Sequence, residues 1–298
     1  MRIEFTKMHG LGNDFIVIDS AAGRAPPTER EALLSEPQAL LTERGRPLSV
    51  TQLRRLANRH SGIGFDQALL LEPPRREGTA VFYRIFNSDG AEVEQCGNGA
   101  RCIAALLHRR GLTHSGQVTM DSPGGLVRAR IESDRVVAVD MGVPSFDPAS
   151  LPFEAEREAD AHWLEVAGQK LVIGAVSVGN PHAVVVVESA DSAPVQQLGP
   201  AIESHPRFPN RVNAGFMQIV DRGHIRLRVF ERGAGETLAC GTGACAAVAV
   251  GRRRGQLDSQ VSVSTRGGEL RVDWQSENIW LTGPAEVSFE GHVEVDTP

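Results

Sequence analysis

Residues 86–101 read FNSDGAEVEQCGNGAR, and residues 230–245 read FERGAGETLACGTGAC, so one segment occurs twice in the chain. Cys96 aligns with Cys240 at an offset of 144 residues, and Gly-x-Gly-Ala follows each cysteine. The segments SPGGLVR (122–128) and TRGGELR (265–271) keep nearly the same offset. Self-similarity of this length predicts two copies of one fold unit. Two such units facing each other would offer two thiols to the two faces of a single carbon atom.

The composition excludes several classes of protein. With 298 residues, of which 41% are hydrophobic, the chain is long enough for two domains with full cores. A net charge of -6 gives no electrostatic footprint for nucleic acid or an acidic membrane surface. No apolar run approaches the length of a membrane span, and the strand-like start MRIEF predicts no signal peptide. We therefore expect a cytoplasmic protein with free thiols.

Short apolar runs and alternating patterns, bounded by Gly, Pro, Asn or Asp, predict mostly β-strands. The strands are expected at Phe15–Asp19, Ala80–Phe86, Gly125–Ile131, Val136–Met141, Ala183–Val187, Met217–Val220, Ile225–Phe230, Val261–Ser264, Glu269–Trp274 and Ile279–Thr282.

One helix is predicted at Thr51–His60, with a capping box formed by Ser49 and Gln52 and a stop at Gly62. The stretch before it, residues 21–48, contains four prolines that interrupt weak helical patterns. This stretch is predicted to be a surface excursion.

Two further helices are predicted after the repeated cysteines, at Asn98–Arg110 and Thr242–Arg254. Both are apolar on almost every side, which is typical of buried helices, and Gly111 and Gly255 follow as C-cap candidates. A buried helix among short strands in each half predicts two similar α+β domains, each a curved sheet around a central helix. The expected domains are residues 1–141 with 287–298, and residues 142–286.

The four cysteines could serve several purposes. Zinc ligands are usually two to four residues apart, whereas four and five residues separate the members of each pair here, and no Cys-x-x-Cys redox motif is present. Cys102 and Cys245 lie inside the apolar helices, where a free cysteine is an ordinary buried residue. Cys96 and Cys240 instead stand where the helices begin, next to glycines that expose backbone N–H groups.

A helix N-terminus lowers the pKa of a thiol and also holds an anion such as a carboxylate. The sequence therefore predicts proton transfer at a carbon beside a carboxylate, with one thiolate removing a proton and the other thiol returning one to the opposite face. Opposed helix dipoles would stabilise the charge that develops on the carboxylate. Pyridoxal phosphate would need a Schiff-base lysine. The chain has two lysines, Lys7 and Lys170, and neither adjoins a phosphate-binding glycine loop, so no cofactor is expected. The spacing of the cysteines likewise predicts no metal.

Several longer strings resemble the diaminopimelate epimerase family over nearly the whole chain. They are MHGLGNDF at 8–15, GFDQ at 64–67, NSDGAEVEQCGNGARC at 87–102, GNPHAVV at 179–185, PNRVNAGF at 209–216 and ERGAGETLACGTGACAA at 231–247. The resemblance implies two barrel-like mixed sheets, each around a central helix. It also implies cofactor-independent interconversion of LL- and meso-diaminopimelate, on the bacterial route to lysine and peptidoglycan.

The same resemblance implies the roles of individual residues. It makes Cys96 and Cys240 the acid/base thiols, with His182 and Glu231 as polar partners that tune the site. Arg232 would bind the distal carboxylate bidentately. The expected substrate-binding set is Asn13, Gln67, Asn87, Gly97, Asn98, Asn180, Asn213, Glu231, Arg232, Gly241 and Thr242. The resemblance further implies a homodimer with Phe289 in the contact between subunits. Residues 21–48 depart from the family pattern, because this stretch is longer than usual for the family.

Three rival readings stay open at this point. Proline racemases and hydroxyproline epimerases also use a cysteine pair, but their pocket holds one carboxylate and a ring, which leaves Arg232 unexplained. Phenazine-type isomerases lack the cysteine pair. A metal- or thiol-binding module is the non-enzyme alternative.

Overall fold

The structure, a computed structural model, describes residues 2–19, 48–93, 96–113 and 115–295. The chain divides into two compact units. The first comprises Met1–Val139 with Pro284–Pro298, and the second comprises Asp140–Gly283. The predicted excursion at 21–48 lies, except for Leu48, outside the described residues.

The first unit is a mixed β-sheet. Its strands are β1 (Arg2–Gly10), β2 (Asn13–Asp19), β3 (Gln67–Glu72), β4 (Phe82–Asn87), β5 (Glu92–Val93), β6 (Gln117–Ser122), β7 (Gly125–Ser133), β8 (Val136–Asp140) and β18 (Glu286–Glu294). The strands pair in the order β18-β1-β2-β3-β4-β6-β7-β8, and β5 adds to β4. The β2–β3 and β4–β6 pairs are parallel, and the others are antiparallel.

The second unit repeats this arrangement. Its strands are β9 (His162–Val166), β10 (Gln169–Ser177), β11 (Pro181–Val186), β12 (Asn213–Asp221), β13 (His224–Glu231), β14 (Gly235–Glu236), β15 (Gln260–Thr265), β16 (Gly268–Asp273) and β17 (Trp280–Pro284). They pair in the order β9-β10-β11-β12-β13-β15-β16-β17, and β14 adds to β13. Parallel pairs again fall at two places, β11–β12 and β13–β15.

The matching pairing orders assign each strand of one unit a counterpart in the other. The predicted α+β class with two similar, pseudo-symmetric units is therefore confirmed. All ten predicted strands are present with shifted ends, and the pattern analysis missed several others, including β3 and β9. β3 escaped because five successive residues, Ala68–Glu72, are buried, so the strand shows no alternation.

Each unit contains one long buried helix, α2 (Gly97–Arg109) in the first and α4 (Gly241–Arg253) in the second. Helix α2 packs on β1, β2 and β7, and α4 packs on β10–β13 and β16. Both end in the way the sequence predicts. Gly111 and Gly255 have φ of 72° and 69° and follow the C-caps Arg110 and Arg254. Their N–H groups bond to His108 and Arg252, which is the Schellman pattern.

The crossovers between the parallel pairs carry shorter helices, α1 (Val50–Ala57) and α3 (Val195–Glu203). The Ser49–Gln52 capping box is confirmed, but the helix it begins ends at Ala57 and not near Gly62. The pattern analysis missed α3, because Gly199 and Pro200 stand inside it. The glycine is needed there, since a Cβ would lie 2.6 Å from the Phe230 ring.

Apolar side chains fill the space between α1 or α3 and the sheet of the same unit. Leu53, Phe65 and Ile16 belong to this core in the first unit, and Ile202 and Phe216 belong to it in the second. With the central helix on the opposite face, the middle strands are covered on both sides. Within the described residues, no helix has the length and apolar character needed to cross a membrane.

Candidate active site

Cys96 is the N-cap of α2. Its backbone is extended, with φ -149° and ψ 107°, and its sulfur accepts the N–H of Gly99 at 3.4 Å. The thiol also donates to Oδ1 of Asn13 at 3.8 Å, and Nδ2 of Asn98 reaches the same oxygen at 3.3 Å. Asn13 stands at the start of β2, directly after Gly12, whose φ is 87°. Three residues predicted from sequence are thus brought together around one sulfur.

A network of charges lies behind Asn13. Nδ2 of Asn13 donates to Asp66 at 3.1 Å, and Arg59 donates to both Asp66 and Asp14. The buried Lys7 ammonium contacts Asp14 at 2.5 Å and the backbone carbonyl of residue 64. Burial alone would raise the pKa of Asp14, but the hydrogen bonds and charges of Arg59 and Lys7 hold it well below its usual range. Lys7 is therefore structural.

Gln67 and Asn87 form a second pair in this unit. Nε2 of Gln67 donates to Oδ1 of Asn87 at 2.9 Å, from the first residue of β3 to the last residue of β4. Oε1 of Gln67 is buried and meets no hydrogen-bond donor among the described residues.

Cys240 is the N-cap of α4, with φ -116° and ψ 112°, and its sulfur accepts the N–H of Gly243 at 3.4 Å. Oγ1 of Thr242 lies 3.5 Å from the sulfur and accepts Nδ2 of Asn180 at 3.3 Å. Oδ1 of Asn180 in turn lies 3.0 Å from Nε2 of His182. Four predicted residues therefore form one hydrogen-bonded chain that ends on the second thiol.

The thiol of Cys240 does not have the lowered pKa expected from its helix position. Burial and the charge of Glu231 raise its pKa well above the usual value, and the hydrogen bonds from Thr242 and Gly243 only partly offset this. Burial also raises the pKa of Glu231, while hydrogen bonds from Thr237 and Cys240 act in the opposite direction. The sequence argument was wrong here because it could not show that the helix start is buried.

His182 is completely buried beside Asn180. Burial and the positive charge of Arg232 lower its pKa to about 3, so the imidazole is neutral at physiological pH. Its Nδ1 has no hydrogen-bond partner among the described residues. A neutral ring bonded through Nε2 keeps its proton there and donates to Asn180.

Arg232 belongs to a loop held by two side chains. Its backbone N–H donates to Oδ1 of Asn213 at 2.9 Å, and Nη1 donates to the carbonyl of residue 210 at 3.1 Å. The next N–H, of Gly233, donates to Oε1 of Glu203 at 2.8 Å. Glu203 ends the helix α3 that the pattern analysis missed, so no local pattern pointed to it. Asp66 lies in the motif GFDQ and Thr237 in ERGAGETLACGTGACAA, but neither motif indicates a role for them.

Comparisons with known proteins show which family the chain belongs to. The family model described as diaminopimelate epimerase matches residues 5–146 and 174–288. The chain belongs to the diaminopimelate epimerase family. The diaminopimelate epimerase of Nitrosospira multiformis is 52% identical over 298 residues, with 99% of each chain covered. That of Laribacter hongkongensis is also 52% identical, over 297 residues, covering 98% of this chain and 99% of the relative.

Solved structures share the fold of this family member at low identity. A probable proline racemase from Agrobacterium radiobacter has 20% identity and a TM-score of 0.66, with 99% of this chain and 93% of that chain covered. A phenazine biosynthesis protein from Bacillus anthracis has 18% identity and a TM-score of 0.64, with 99% and 100% covered. These likenesses concern the fold alone.

The two sites of this diaminopimelate epimerase family member occupy equivalent places in the sheets. Asn13 corresponds to Asn180, since each follows a glycine with positive φ; Asn13 is the first residue of β2, and Asn180 immediately precedes the equivalent strand β11. The parallel registers pair Phe15 with Gln67 and His182 with Asn213. The remaining correspondences are Asn87 with Glu231, Cys96 with Cys240 and Asn98 with Thr242.

Two of these correspondences change the chemistry. His182 stands where the first unit has Phe15, and Glu231 stands where it has Asn87. The second thiol therefore has ionisable neighbours that the first lacks at the equivalent positions. The Asn87/Glu231 difference is already visible in the alignment of the repeated segments, whereas the Phe15/His182 difference requires the strand registers.

The remaining predicted residues lie outside these clusters. Cys102 and Cys245 are fully buried inside α2 and α4. Phe289 lies on β18 with 49% of its surface exposed and meets Phe5 edge-on at 5.9 Å. Among the residues that the structure describes, no three His, Cys, Asp or Glu side chains gather as a metal-binding group.

Proposed function

We propose that this chain converts LL-2,6-diaminopimelate to meso-diaminopimelate by a cofactor-independent, two-base mechanism, for lysine and peptidoglycan precursor synthesis. The family match makes it an amino-acid epimerase, an isomerase. The observation that carries the mechanism is the pair of cysteines, each the N-cap of a buried helix at an equivalent place in its unit.

The surroundings of Cys240 support a protonated resting state for its thiol. A thiol whose pKa is raised by burial and by Glu231 remains protonated, so Cys240 is suited to deliver a proton. When Cys240 acts as the base in the reverse direction, the hydroxyl of Thr242 and the N–H of Gly243 stabilise its thiolate before it takes the proton. In each direction one sulfur removes the α-proton and the other sulfur protonates the opposite face.

The α-carboxylate of the substrate would bind at the helix starts. The first N–H groups of an α-helix have no intrahelical acceptor, and the helix dipole favours negative charge there. In this chain those groups belong to Gly97, Asn98, Gly241 and Thr242. The same dipoles stabilise the enediolate-like charge that develops as the α-proton leaves.

Arg232 would bind the distal carboxylate. Asn213 and residue 210 anchor its backbone and one guanidinium nitrogen, which leaves the planar fork able to meet a carboxylate. Asn13, Gln67, Asn87 and Asn180 would supply further polar contacts to the substrate.

We further propose that residues 1–141 with 287–298, and residues 142–286, act as the two domains of a cytoplasmic homodimer. The two compact units support the domain proposal. The exposed Phe289 supports a contact between subunits on β18, and a measured molecular mass in solution tests it.

The decisive experiment is incubation of the purified protein with LL-diaminopimelate in heavy water. A two-base enzyme forms the meso isomer with solvent deuterium at the inverted carbon. Following stereochemistry by chiral chromatography and label by mass spectrometry tests both parts. Inversion without solvent label would contradict the mechanism, and no inversion would contradict the function.

A further inference from the structure

A line of four side chains crosses the first unit beside Cys96. The buried guanidinium of Arg101 donates to Oδ1 of Asn98 at 2.8 Å. Asn98 donates to Asn13 at 3.3 Å, and Asn13 donates to Asp66 at 3.1 Å. Arg101 is on α2, Asn13 is on β2, and Asp66 comes just before β3, so the line joins three elements.

The charged residues at both ends fix the direction of every bond in this line. A guanidinium can only donate, so the atom of Asn98 that faces Arg101 must be its oxygen. The amide nitrogen of Asn98 then faces Asn13. At the other end, an ionised carboxylate can only accept, so Asn13 must turn its nitrogen toward Asp66. Both conditions leave the oxygen of Asn13 facing the sulfur of Cys96.

We propose that Asp66 is a positioning residue: it holds the amide of Asn13 so that a carbonyl oxygen, and not an N–H group, faces the Cys96 thiol. Arg101 sets the same polarity from the other side through Asn98. An acceptor at the sulfur stabilises the protonated thiol, because a thiol can donate a hydrogen bond and a thiolate cannot. Cys96 is thereby kept protonated until a substrate alters the contact.

The second unit surrounds its thiol differently. His182 donates to Asn180, and Asn180 donates to Thr242, which leaves the hydroxyl proton of Thr242 available to Cys240, while the carboxylate of Glu231 accepts a hydrogen bond from the thiol. Residue 212, immediately before the equivalent strand, is a valine, so this unit has no counterpart of Asp66. The line at Cys96 is therefore specific to the first unit.

Other groups also act on Cys96. Tyr83 on β4 and Cys102 on α2 interact with it electrostatically, and burial raises the pKa of both, that of Cys102 to about 12. Among the described residues, the charged groups of this network are Arg101 on α2, Lys7 on β1, Asp14 on β2, Arg59 and Asp66, of which the substitutions change only Asp66 or Arg59.

Two substitutions at one position separate the positioning effect from the effect of charge. Asp66→Ala and Asp66→Asn remove the same negative charge, but only the asparagine keeps an oxygen that can accept from Asn13. The measurement is the rate of Cys96 alkylation by iodoacetamide against pH, read by peptide mass spectrometry. Alkylation of Cys240 in the same samples is the internal control.

We expect Asp66→Ala to lower the pH midpoint of Cys96 alkylation by about one unit, since one unit is close to the worth of one hydrogen bond. Asp66→Asn should lower it by less than half of this, and the Cys240 midpoint should not move. Equal midpoints in the two variants would mean that only charge matters and would overturn the proposal. So would an unchanged midpoint in Asp66→Ala.

A second variant tests the proposal even if Asp66→Ala fails to fold. The Arg59 side chain, which anchors Asp66, is 55% exposed. Arg59→Gln should therefore fold and should move the Cys96 midpoint in the same direction by a smaller amount; no movement would count against the proposal. Epimerisation by Asp66→Ala should lose about tenfold in kcat with little change in KM, the rate equivalent of about one pKa unit. This last arm rests on the proposed function, whereas alkylation needs no substrate.

Discussion

Gly99 and Gly243 occupy the third position of the two central helices, and replacing each with alanine should have unequal effects. A Cβ at Gly243 would lie 2.8 Å from Cγ2 of Val229, 3.2 Å from Cβ of Cys240 and 3.3 Å from its sulfur. A Cβ at Gly99 would lie 3.1 Å from Cδ2 of Leu69 and 3.6 Å from Cβ of Cys96. Carbon atoms in good contact are about 3.5–4.0 Å apart.

The cost follows from which neighbour can move. Val229 is buried and β-branched, so its methyl group is held by both rotamer and packing. We expect Gly243→Ala to cost about 1–3 kcal/mol from overpacking. The end of Leu69 can turn away from Gly99, and alanine is favoured over glycine in a helix by about 1 kcal/mol. Gly99→Ala should therefore change the free energy of unfolding little.

The chain offers a clean probe for this comparison. Its three tryptophans, Trp163, Trp274 and Trp280, all belong to the second unit. In urea unfolding followed by tryptophan fluorescence, Gly243→Ala should lower the midpoint by about 0.5–1.5 M for a typical slope of about 2 kcal/mol per M. Gly99→Ala should leave it unchanged, and circular dichroism, which reports both units together, should show no additional loss from the first unit. Gly243→Ala should also lose more epimerase activity, because the displaced atom is the Cys240 sulfur. Equal stability losses in the two variants, or a larger loss in Gly99→Ala, would refute the packing argument.

Four further predictions follow from the site. Cys96→Ala and Cys240→Ala should each lose roughly 10²–10⁴-fold in kcat, with the double variant little worse, because the thiols act as a unit; a Cys240→Ala enzyme with most of its activity would contradict this. Arg232→Lys keeps the charge but loses the planar fork, so kcat/KM for diaminopimelate should fall sharply in steady-state assays, while equal wild-type activity on proline would disprove the distal role. Glu231→Gln removes a charge that raises the pKa of Cys240, so the alkylation midpoint of Cys240 should move to lower pH; movement to higher pH would be the wrong sign. The pKa of His182 is about 3 in the folded state and about 6.5 in the unfolded state, so falling pH protonates the unfolded chain first. The free energy of unfolding therefore falls by about 1.4 kcal/mol per pH unit between about pH 6.5 and 3. His182→Phe should make the free energy of unfolding less dependent on pH in this window, and an unchanged pH dependence would show that the ring is not the cause.

The sequence predicted the parts of the fold that depend on local patterns. The repeated cysteine segments located both central helices, and Ser49 with Gln52 located the start of α1. Helix α3 was missed because local propensity argues against Gly199 and Pro200, whereas packing against Phe230 overrides it.

The site divides in the same way. Motifs named the residues that surround each sulfur, since these lie in the strings that resemble the diaminopimelate epimerase family. Burial determines the protonation states of these residues, and burial depends on contacts between residues that are distant in sequence. The direction of the Cys240 pKa shift and the polarity that Arg101 and Asp66 impose on Asn13 therefore required the structure.

The tandem repeat has a consequence for how the two halves could evolve. In a symmetric dimer of one gene product, any substitution appears on both sides at once, so both copies must keep the same residue. With the copies fused into one chain, each position can change independently. Phe15 and His182, or Asn87 and Glu231, record such separate changes on a shared framework. A repeat within one chain therefore lets the surroundings of the two cysteines differ where symmetry would keep them identical.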